Sequence, residues 1–312
     1  MTADAAAEDQ VDALHITYPG ARRPDRHRWV NAFGVRLHVC EWGDASGPPL
    51  FLVHGGSDFA GTFDVFAPLL ADAGWRVVSW DHRGHGDSDN AALYGWDADV
   101  RDALAVLDST TPDPVPIVAH SKGGGMMLQL ADALPRRMSK MAIIDGLPTP
   151  EPAPDITEHE HKQIEPKDVA GWLDHRRRAA SIQRKPGTLE ELAKRRGRMN
   201  PRLPEAWLRY LVPIGARKDP DGWRWKLDPA IRFGGFGPWR PEWSLKRLHL
   251  LEAPLLGMTA TVEEEMGWGT NGEALRPFLP RGAELIAWPD TGHFIHVEHP
   301  REVADKVLDF LR

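Results

Sequence analysis

A serine at the tip of a predicted strand-to-helix turn is the first candidate for chemistry in this sequence. Residues 115–119 are an apolar run with β-branched side chains, which predicts one buried strand. Apolar residues at helical spacing begin at Met126, so Ser121 lies in the turn between the two elements, close to Gly123 and Gly124. A turn this sharp strains the backbone and requires small neighbours. The pattern therefore predicts that the Ser121 hydroxyl is exposed beside the first N–H groups of a helix, which stabilise a bound anion.

The candidate base for this serine is His293. A neutral serine hydroxyl is a poor nucleophile unless an oriented base accepts its proton. His293 follows Gly292 in a loop between a predicted strand that ends near Trp288 and an amphipathic helix at 300–311. A strand, a Gly-His loop and a terminal helix in succession favour a catalytic histidine over a solvated loop residue. Serine and histidine together indicate nucleophilic catalysis.

Alternating strands and helices must position these two residues. An apolar hairpin comes first, at 28–32 and 35–42, and buried strands then alternate with amphipathic helices as far as residue 145. This alternation predicts an α/β fold with a mostly parallel central sheet covered by helices on both faces. The later predicted strands cover 50–53, 75–80, 115–119, 141–144, 254–260 and 283–288, and the predicted helices cover 62–73, 97–108, a segment from 126 onward and 300–311.

One long insertion interrupts this alternation and divides the chain into four parts. Residues 1–25 form a polar N-terminal arm, and residues 26–146 form the first part of the α/β core. Residues 147–247 are rich in Pro, Arg, Glu and Trp and contain several amphipathic helical segments. We predict that they form a helical cap over the sheet edge that carries the serine. Residues 248–312 complete the core.

Composition and charge limit the classes of function. The chain has 312 residues, of which 42% are hydrophobic and 27% charged, as is typical of a globular protein with a sizeable core. Its net charge of -7 gives no general electrostatic basis for binding nucleic acid or an anionic membrane. The sequence has neither a run of ~20 apolar residues nor a signal-peptide pattern, so we expect a cytoplasmic protein. Cys40 is the only cysteine, which excludes an internal disulfide and a zinc site built from cysteines.

Four motifs in order along the chain resemble those of the α/β-hydrolase family. The serine turn resembles the nucleophile elbow of that family, with Ala119 where the motif usually has glycine. The resemblance covers nearly the whole chain outside the arm and the cap, and it implies the α/β-hydrolase fold. The motifs are His54-Gly55-Gly56, Asp81-His82-Arg83-Gly84-His85-Gly86, the turn around Ser121, and Gly292-His293.

The same resemblance implies roles for further residues. The N–H groups of Gly56 and Lys122 would form the oxyanion hole. The acid that orients the base usually follows the strand that begins here at Pro254, and Glu263 occupies that place. Some members supply the acid from the end of the preceding strand, where this chain has Asp145. We favour Glu263 as the acid, with Asp145 as the alternative.

The predicted function is that of a serine hydrolase. The expected substrate is a carboxylic ester or lactone of a small, largely apolar molecule, cleaved through an acyl-enzyme intermediate. Two alternatives stay open, namely a hydrolase of carbon–carbon bonds in vinylogous diketones and a hydrolase-like receptor that only binds its ligand. We expect a small-molecule substrate as the partner and a possible homo-oligomer, with no cofactor, no metal, no nucleic acid and no membrane.

Overall fold

One eight-stranded sheet organises the protein in the computed structural model, which describes residues 15–149, 166–231, 241–267 and 269–312. The strand order is β1-β2-β4-β3-β5-β6-β9-β10. β2 is antiparallel to both of its neighbours, and every other pair is parallel. The strands are β1 Arg26–Ala32, β2 Val35–Trp42, β3 Pro49–Val53, β4 Arg76–Trp80, β5 Val115–His120, β6 Met138–Ile144, β9 Leu255–Ala260 and β10 Glu284–Trp288.

Helices cover both faces of this sheet, because its central parallel strands are apolar on both sides. In β3, residues 50–53 are all fully buried. Helices α2 Trp96–Asp108 and α3 Lys122–Ala133 pack on one face, and α1 Ala67–Asp72 and α10 Pro300–Leu311 pack on the other. The predicted α/β fold with a mostly parallel sheet is confirmed. No helix of the described residues is long and apolar enough to span a membrane.

One predicted core helix is shorter than the sequence indicates. The prediction covered residues 62–73, but a 3-10 turn occupies Ala60–Phe63 and α1 starts only at Ala67. Pro68 lies in the first turn of α1, where its missing N–H group breaks no helical hydrogen bond. The predicted helix is thus a 3-10 turn followed, after residues 64–66, by a short α-helix.

The insertion between β6 and β9 contains helices and a small second sheet. A two-residue Pro-Asp turn joins β7 to β8, with Gly222 at a φ of +134°. Proline followed by Asp-Gly favours such a turn, so this part of the predicted helical cap is a β-hairpin. Within the described residues the insertion comprises α4 Pro166–Ala179, α5 Leu189–Met199, α6 Glu205–Gly215, β7 Ala216–Asp219, β8 Gly222–Trp225 and α7 Pro241–Arg247.

The described part of the predicted N-terminal arm packs against this insertion. The Tyr18 ring lies edge-on to Trp207, with ring centroids 5.1 Å apart. Arg22 N–H donates to the Asp64 carbonyl at 2.8 Å, which ties the same segment to the core. Residues 1–14 of the arm lie outside the described residues. The short helices α8 Gly272–Leu275 and α9 Ile295–Glu298 flank β10 in the last part of the chain.

A buried carboxylate stabilises the antiparallel edge of the sheet. Glu41 in β2 is 2% exposed and accepts hydrogen bonds from Arg28 at 2.7 Å and from Arg76 at 2.8 and 2.9 Å. Desolvation alone would raise the pKa of Glu41, but the hydrogen bonds from Arg76 and Arg28 outweigh it and lower the pKa to about 2. The ionised carboxylate therefore joins β1, β2 and β4.

We expect Glu41→Gln to lower the free energy of unfolding at pH 7 by about 2 kcal/mol, because the partly solvated arginines lose their anion. Folding depresses the Glu41 pKa, so this stabilisation is complete above the unfolded value of 4.5 and is lost as the pH falls toward 2. Urea unfolding of both proteins across this range measures the difference. A difference that does not shrink on acidification contradicts the assignment.

Candidate active site

The backbone of Ser121 connects β5 directly to α3 in a left-handed conformation. Its φ and ψ are +53° and -127°. The Ser121 N–H donates to the Ile144 carbonyl at 3.0 Å, which fixes the turn against the end of β6. A Cβ atom added to Gly146 would lie 2.4 Å from the Ser121 carbonyl oxygen, and one added to Gly55 would lie 2.9 Å from the Ser121 Cβ. Glycine is therefore required on both sides of the serine.

The first turn of α3 also depends on small residues. A Cβ atom on Gly123 would lie 2.7 Å from the His54 carbonyl oxygen, and one on Gly124 would lie 2.8 Å from that of Gly146. Ala119 is fully buried in β5, so the alanine that replaces the usual glycine is accommodated. The sequence predicted that the Ser121 hydroxyl is exposed. In the structure the surrounding loops cover Ser121, which is only 6% exposed.

Asp145 is the carboxylate that contacts the candidate base. Its Oδ2 lies 2.6 Å from His293 Nδ1, and its Oδ1 accepts the Ala260 N–H at 3.0 Å. Asp145 and His293 are 4% and 2% exposed. A buried carboxylate on Nδ1 fixes the tautomer of the imidazole and leaves Nε2 unprotonated. This arrangement suits a histidine that accepts a proton through Nε2.

The sequence-based preference for Glu263 as the partner of His293 is therefore corrected. Strand β9 does lie beside β6, but it ends at Ala260 and the following loop leaves Glu263 exposed. Asp145 comes directly after β6, whose register with β5 pairs Ile144 with His120. Asp145 and Ser121 are thus the next residues on two adjacent strands, which places the carboxylate at the same edge as the serine.

Carboxylates also hold the backbone of the histidine loop, a role that the sequence did not reveal. Glu264 Oε2 accepts the His293 N–H at 2.6 Å, and Glu298 Oε1 accepts the Gly292 N–H at 2.8 Å. Arg202, in the segment between α5 and α6, donates to Glu298 at 2.8 Å and to the Asp290 carbonyl at 2.5 Å. The insertion therefore contacts the loop that carries the candidate base.

The predicted oxyanion-hole residues come from two adjacent segments of this edge. Lys122 is the first residue of α3, where a backbone N–H has no partner inside the helix. Gly56 follows Gly55, whose backbone lies against Ser121. The Lys122 side chain extends away to Asp99, with an Nζ–Oδ2 distance of 2.6 Å. These positions are compatible with two N–H groups beside the serine.

Buried histidines surround the candidate residues and are uncharged at neutral pH. Desolvation, more than any other influence, lowers the pKa of His54 to about 4 and those of His85 and His296 to about 3. His120 Nε2 donates to the His293 carbonyl at 2.9 Å, and His54 Nε2 accepts the His82 N–H at 3.0 Å. These contacts give the rings of His54 and His120 a structural role in the loops of the site.

Arg196 of α5 contacts the loop that carries Gly56. Its Nη1 donates to the Ser57 carbonyl at 2.9 Å, and its Nη2 lies 3.6 Å from Asp58 Oδ1. The guanidinium also lies over the Phe294 ring, 5.5 Å from the centroid, and the residue is 9% exposed. The arginine-rich sequence of α5 resembles a solvated face and gives no signal that this arginine is buried.

Residues 50–306 match the model of the Alpha/beta hydrolase family. The chain belongs to this family. An alpha/beta hydrolase of Bacillus subtilis, AB hydrolase superfamily protein YfhM, is 31% identical over 150 residues, which are 47% of this chain and 49% of that protein. The chain thus aligns with about half the length of this relative.

One further relative and one solved structure match most of the chain. The sn-1-specific diacylglycerol lipase of Mus musculus is 26% identical over 281 residues, which are 86% of this chain and 82% of that protein. The thioesterase domain from the curacin biosynthetic pathway superposes with a TM-score of 0.76 at 19% identity, covering 91% of this chain and 99% of that domain. The superposition shows a shared fold, and the relatives together support an enzyme of the alpha/beta hydrolase type.

The contact between Asp145 and His293 predicts which carboxylate matters for turnover. We expect Asp145→Asn to lower kcat for an activated ester by on the order of 10⁴-fold, because the amide favours the wrong imidazole tautomer. Glu263→Gln is the matched control and should stay within about twofold of the parent, as surface changes away from the site usually do. Steady-state kinetics and circular dichroism of both variants make the comparison, and a large loss in Glu263→Gln alone contradicts it.

The buried contact of Arg196 predicts a positioning role. We expect Arg196→Ala to lower kcat by about 10-fold or more, because the loop with Gly56 loses the group that holds Ser57 and Asp58. Arg196→Lys should retain part of the rate, since it keeps the charge but not the forked geometry. Arg195→Ala is the control, because the Arg195 side chain donates to the carbonyls of Lys185 and Pro186 and pairs with Glu191, all within the insertion. A lower Tm with unchanged kcat would show that Arg196 is only structural.

Proposed function

We propose that this alpha/beta hydrolase is a serine hydrolase that cleaves a carboxylic ester or lactone of a small, largely apolar substrate. The observation that supports it most strongly is the 2.6 Å contact between Asp145 Oδ2 and His293 Nδ1, at the same sheet edge as the strained Ser121 turn. A serine on an elbow and a histidine oriented by a buried carboxylate are the parts that acyl transfer needs.

In the proposed first half-reaction, the Ser121 hydroxyl attacks the substrate carbonyl carbon. His293 Nε2 accepts the hydroxyl proton, and Asp145 stabilises the imidazolium that forms. The negative charge on the carbonyl oxygen is stabilised by the N–H groups of Gly56 and Lys122. The bond from carbon to the alcohol oxygen then breaks, the imidazolium protonates that oxygen, and an acyl-enzyme remains on Ser121.

In the second half-reaction, water replaces the alcohol. His293 takes a proton from the water molecule as its oxygen attacks the acyl carbon. The bond between that carbon and Ser121 breaks, and the proton passes from His293 to the serine oxygen. The product is a carboxylic acid, and a lactone substrate would give the corresponding hydroxy acid.

Apolar residues beside the site support an apolar substrate. Phe294 follows His293, Phe59 follows Asp58, and both are buried in one apolar cluster with residues of the cap. Trp225 of β8 packs at the edge of this cluster, with its ring 6.5 Å from that of Phe59. Trp207 is fully buried in the same cluster and belongs to the core of the cap. Trp172, Trp239 and Trp243, which the sequence also places in the insertion, lie outside the described side chains.

The proposal predicts that Ser121 carries the acyl group. We expect Ser121→Ala to fold normally and to lose nearly all turnover of activated acyl esters, by on the order of 10⁶-fold, because the remaining groups have no nucleophile to activate. The parent should react with a fluorophosphonate probe at one residue, identified as Ser121 by mass spectrometry. Ser181→Ala, at an exposed serine of the cap, is the control and should behave like the parent.

A substrate panel separates this function from the two alternatives. Acyl esters of increasing chain length and simple lactones are assayed beside a ring-fission diketone, which reports carbon–carbon cleavage. Turnover of the diketone alone would assign the carbon–carbon hydrolase, and saturable binding without turnover of any compound would assign the receptor. Normal esterase activity in Ser121→Ala would refute the serine mechanism.

A further inference from the structure

Three side chains with metal-binding atoms converge on the antiparallel hairpin, away from the residues of the proposed reaction. His27 in β1 is the cross-strand partner of Cys40 in β2, and His38 lies two residues before Cys40 on the same face. One donor atom from each residue lies within 4.8 Å of the other two. His27 is exposed, His38 is partly buried and Cys40 is 4% exposed, so the cluster runs from solvent into the protein.

The distances within this cluster are close to those of a tetrahedral metal site. His27 Nδ1 and His38 Nε2 are 3.0 Å apart, and His27 Nδ1 and Cys40 Sγ are 3.7 Å apart. Zn²⁺ bound by two imidazoles and a thiolate requires about 3.3 Å between the nitrogens and about 3.6 Å between nitrogen and sulfur. The third contact is between Cys40 Sγ and His38 Nδ1, at 3.8 Å, so the His38 ring would have to turn to bring its Nε2 toward the sulfur.

A buried carboxylate prepares His38 to act as a ligand. Asp81 Oδ2 lies 2.9 Å from His38 Nδ1 and is 3% exposed. A carboxylate that accepts the Nδ1 proton leaves the lone pair of Nε2 available to a metal ion and fixes the ring, as is typical of histidines that bind zinc. Nε2 is the atom that faces His27. Asp81 itself is fixed by the Ala60 N–H, which donates to its Oδ1 at 2.8 Å.

We propose that His27 Nδ1, His38 Nε2 and Cys40 Sγ form a site for a borderline transition-metal ion such as Zn²⁺, with Asp81 as the outer carboxylate. One thiolate and two imidazoles favour zinc, cobalt or copper over magnesium or calcium, which prefer oxygen ligands. Because His27 is exposed, a fourth ligand would come from solvent. The sequence rightly excludes a site built from several cysteines, but a mixed site needs only one.

Metal binding at this site displaces protons and joins three strands. A cysteine thiol keeps its proton at neutral pH unless its surroundings stabilise the thiolate, which is the form that binds a metal. Coordination releases the thiol proton to solvent, and the ion replaces the proton between the two imidazoles. Because Asp81 follows β4, the ion would link β1, β2 and the end of β4.

Cobalt titration of the untagged full-length protein tests the site. We expect one Co²⁺ per chain and a thiolate-to-cobalt charge-transfer band in the near ultraviolet, both abolished by Zn²⁺. Cys40 is the only cysteine, so such a band identifies its ligand without ambiguity. Zn²⁺ should also raise the Tm of the parent.

Matched variants separate this site from adventitious surface binding. His27→Gln changes an exposed side chain and should weaken Zn²⁺ binding by about 100-fold or more. A direct ligand contributes more than an outer-sphere partner, whose loss alone lowers metal affinity by about 10–100-fold. Cys40→Ala should abolish the charge-transfer band, and His249→Gln, at an exposed histidine elsewhere, should change nothing. The proposal is overturned if the parent shows no thiolate band or if His27→Gln binds Zn²⁺ as tightly as the parent.

Discussion

The left-handed backbone of Ser121 is the constraint on which the rest of the site depends. A non-glycine residue in such a conformation costs on the order of 1–3 kcal/mol and persists only where its surroundings enforce it. Here the enforcing groups are backbone atoms at the ends of three strands, β3, β5 and β6, which approach so closely that Gly55, Gly123 and Gly146 have no space for a Cβ atom. The same close approach brings the segment with Gly56 and the residue after β6 next to the serine.

Desolvation is the second physical feature of the site. Burial lowers the pKa values of the histidines around His293, and the two that flank it, His120 and His296, are neutral at physiological pH. Neither of them adds a positive charge beside His293, and the carboxylate of Asp145 contacts its Nδ1 at 2.6 Å. Among the described histidines of the site, His293 is the one whose ring nitrogen contacts a buried carboxylate, that of Asp145. This contact makes His293 the histidine best suited to act as a base.

The cap contributes polar contacts to the loops of the site as well as apolar packing. Arg196 holds the loop after β3, and Arg202 holds the loop that carries His293. Each arginine contacts a backbone carbonyl and a carboxylate, for which the rigid fork of its donors is well suited. A shift of α5 and the segment after it would therefore disturb two loops that flank the serine.

The sequence by itself determined the fold class, the serine turn and the histidine loop. These features are local: alternating apolar patterns define strands and helices, and a turn of small residues defines the elbow. The sheet order, the partner of His293 and the burial of Arg196 were decided only by the tertiary structure. Asp145 contacts His293 because β6 adjoins β5 in register, whereas the loop after β9 carries Glu263 into solvent. Spacing along the chain cannot reveal which carboxylate contacts His293, because that contact depends on which strand ends become neighbours in space.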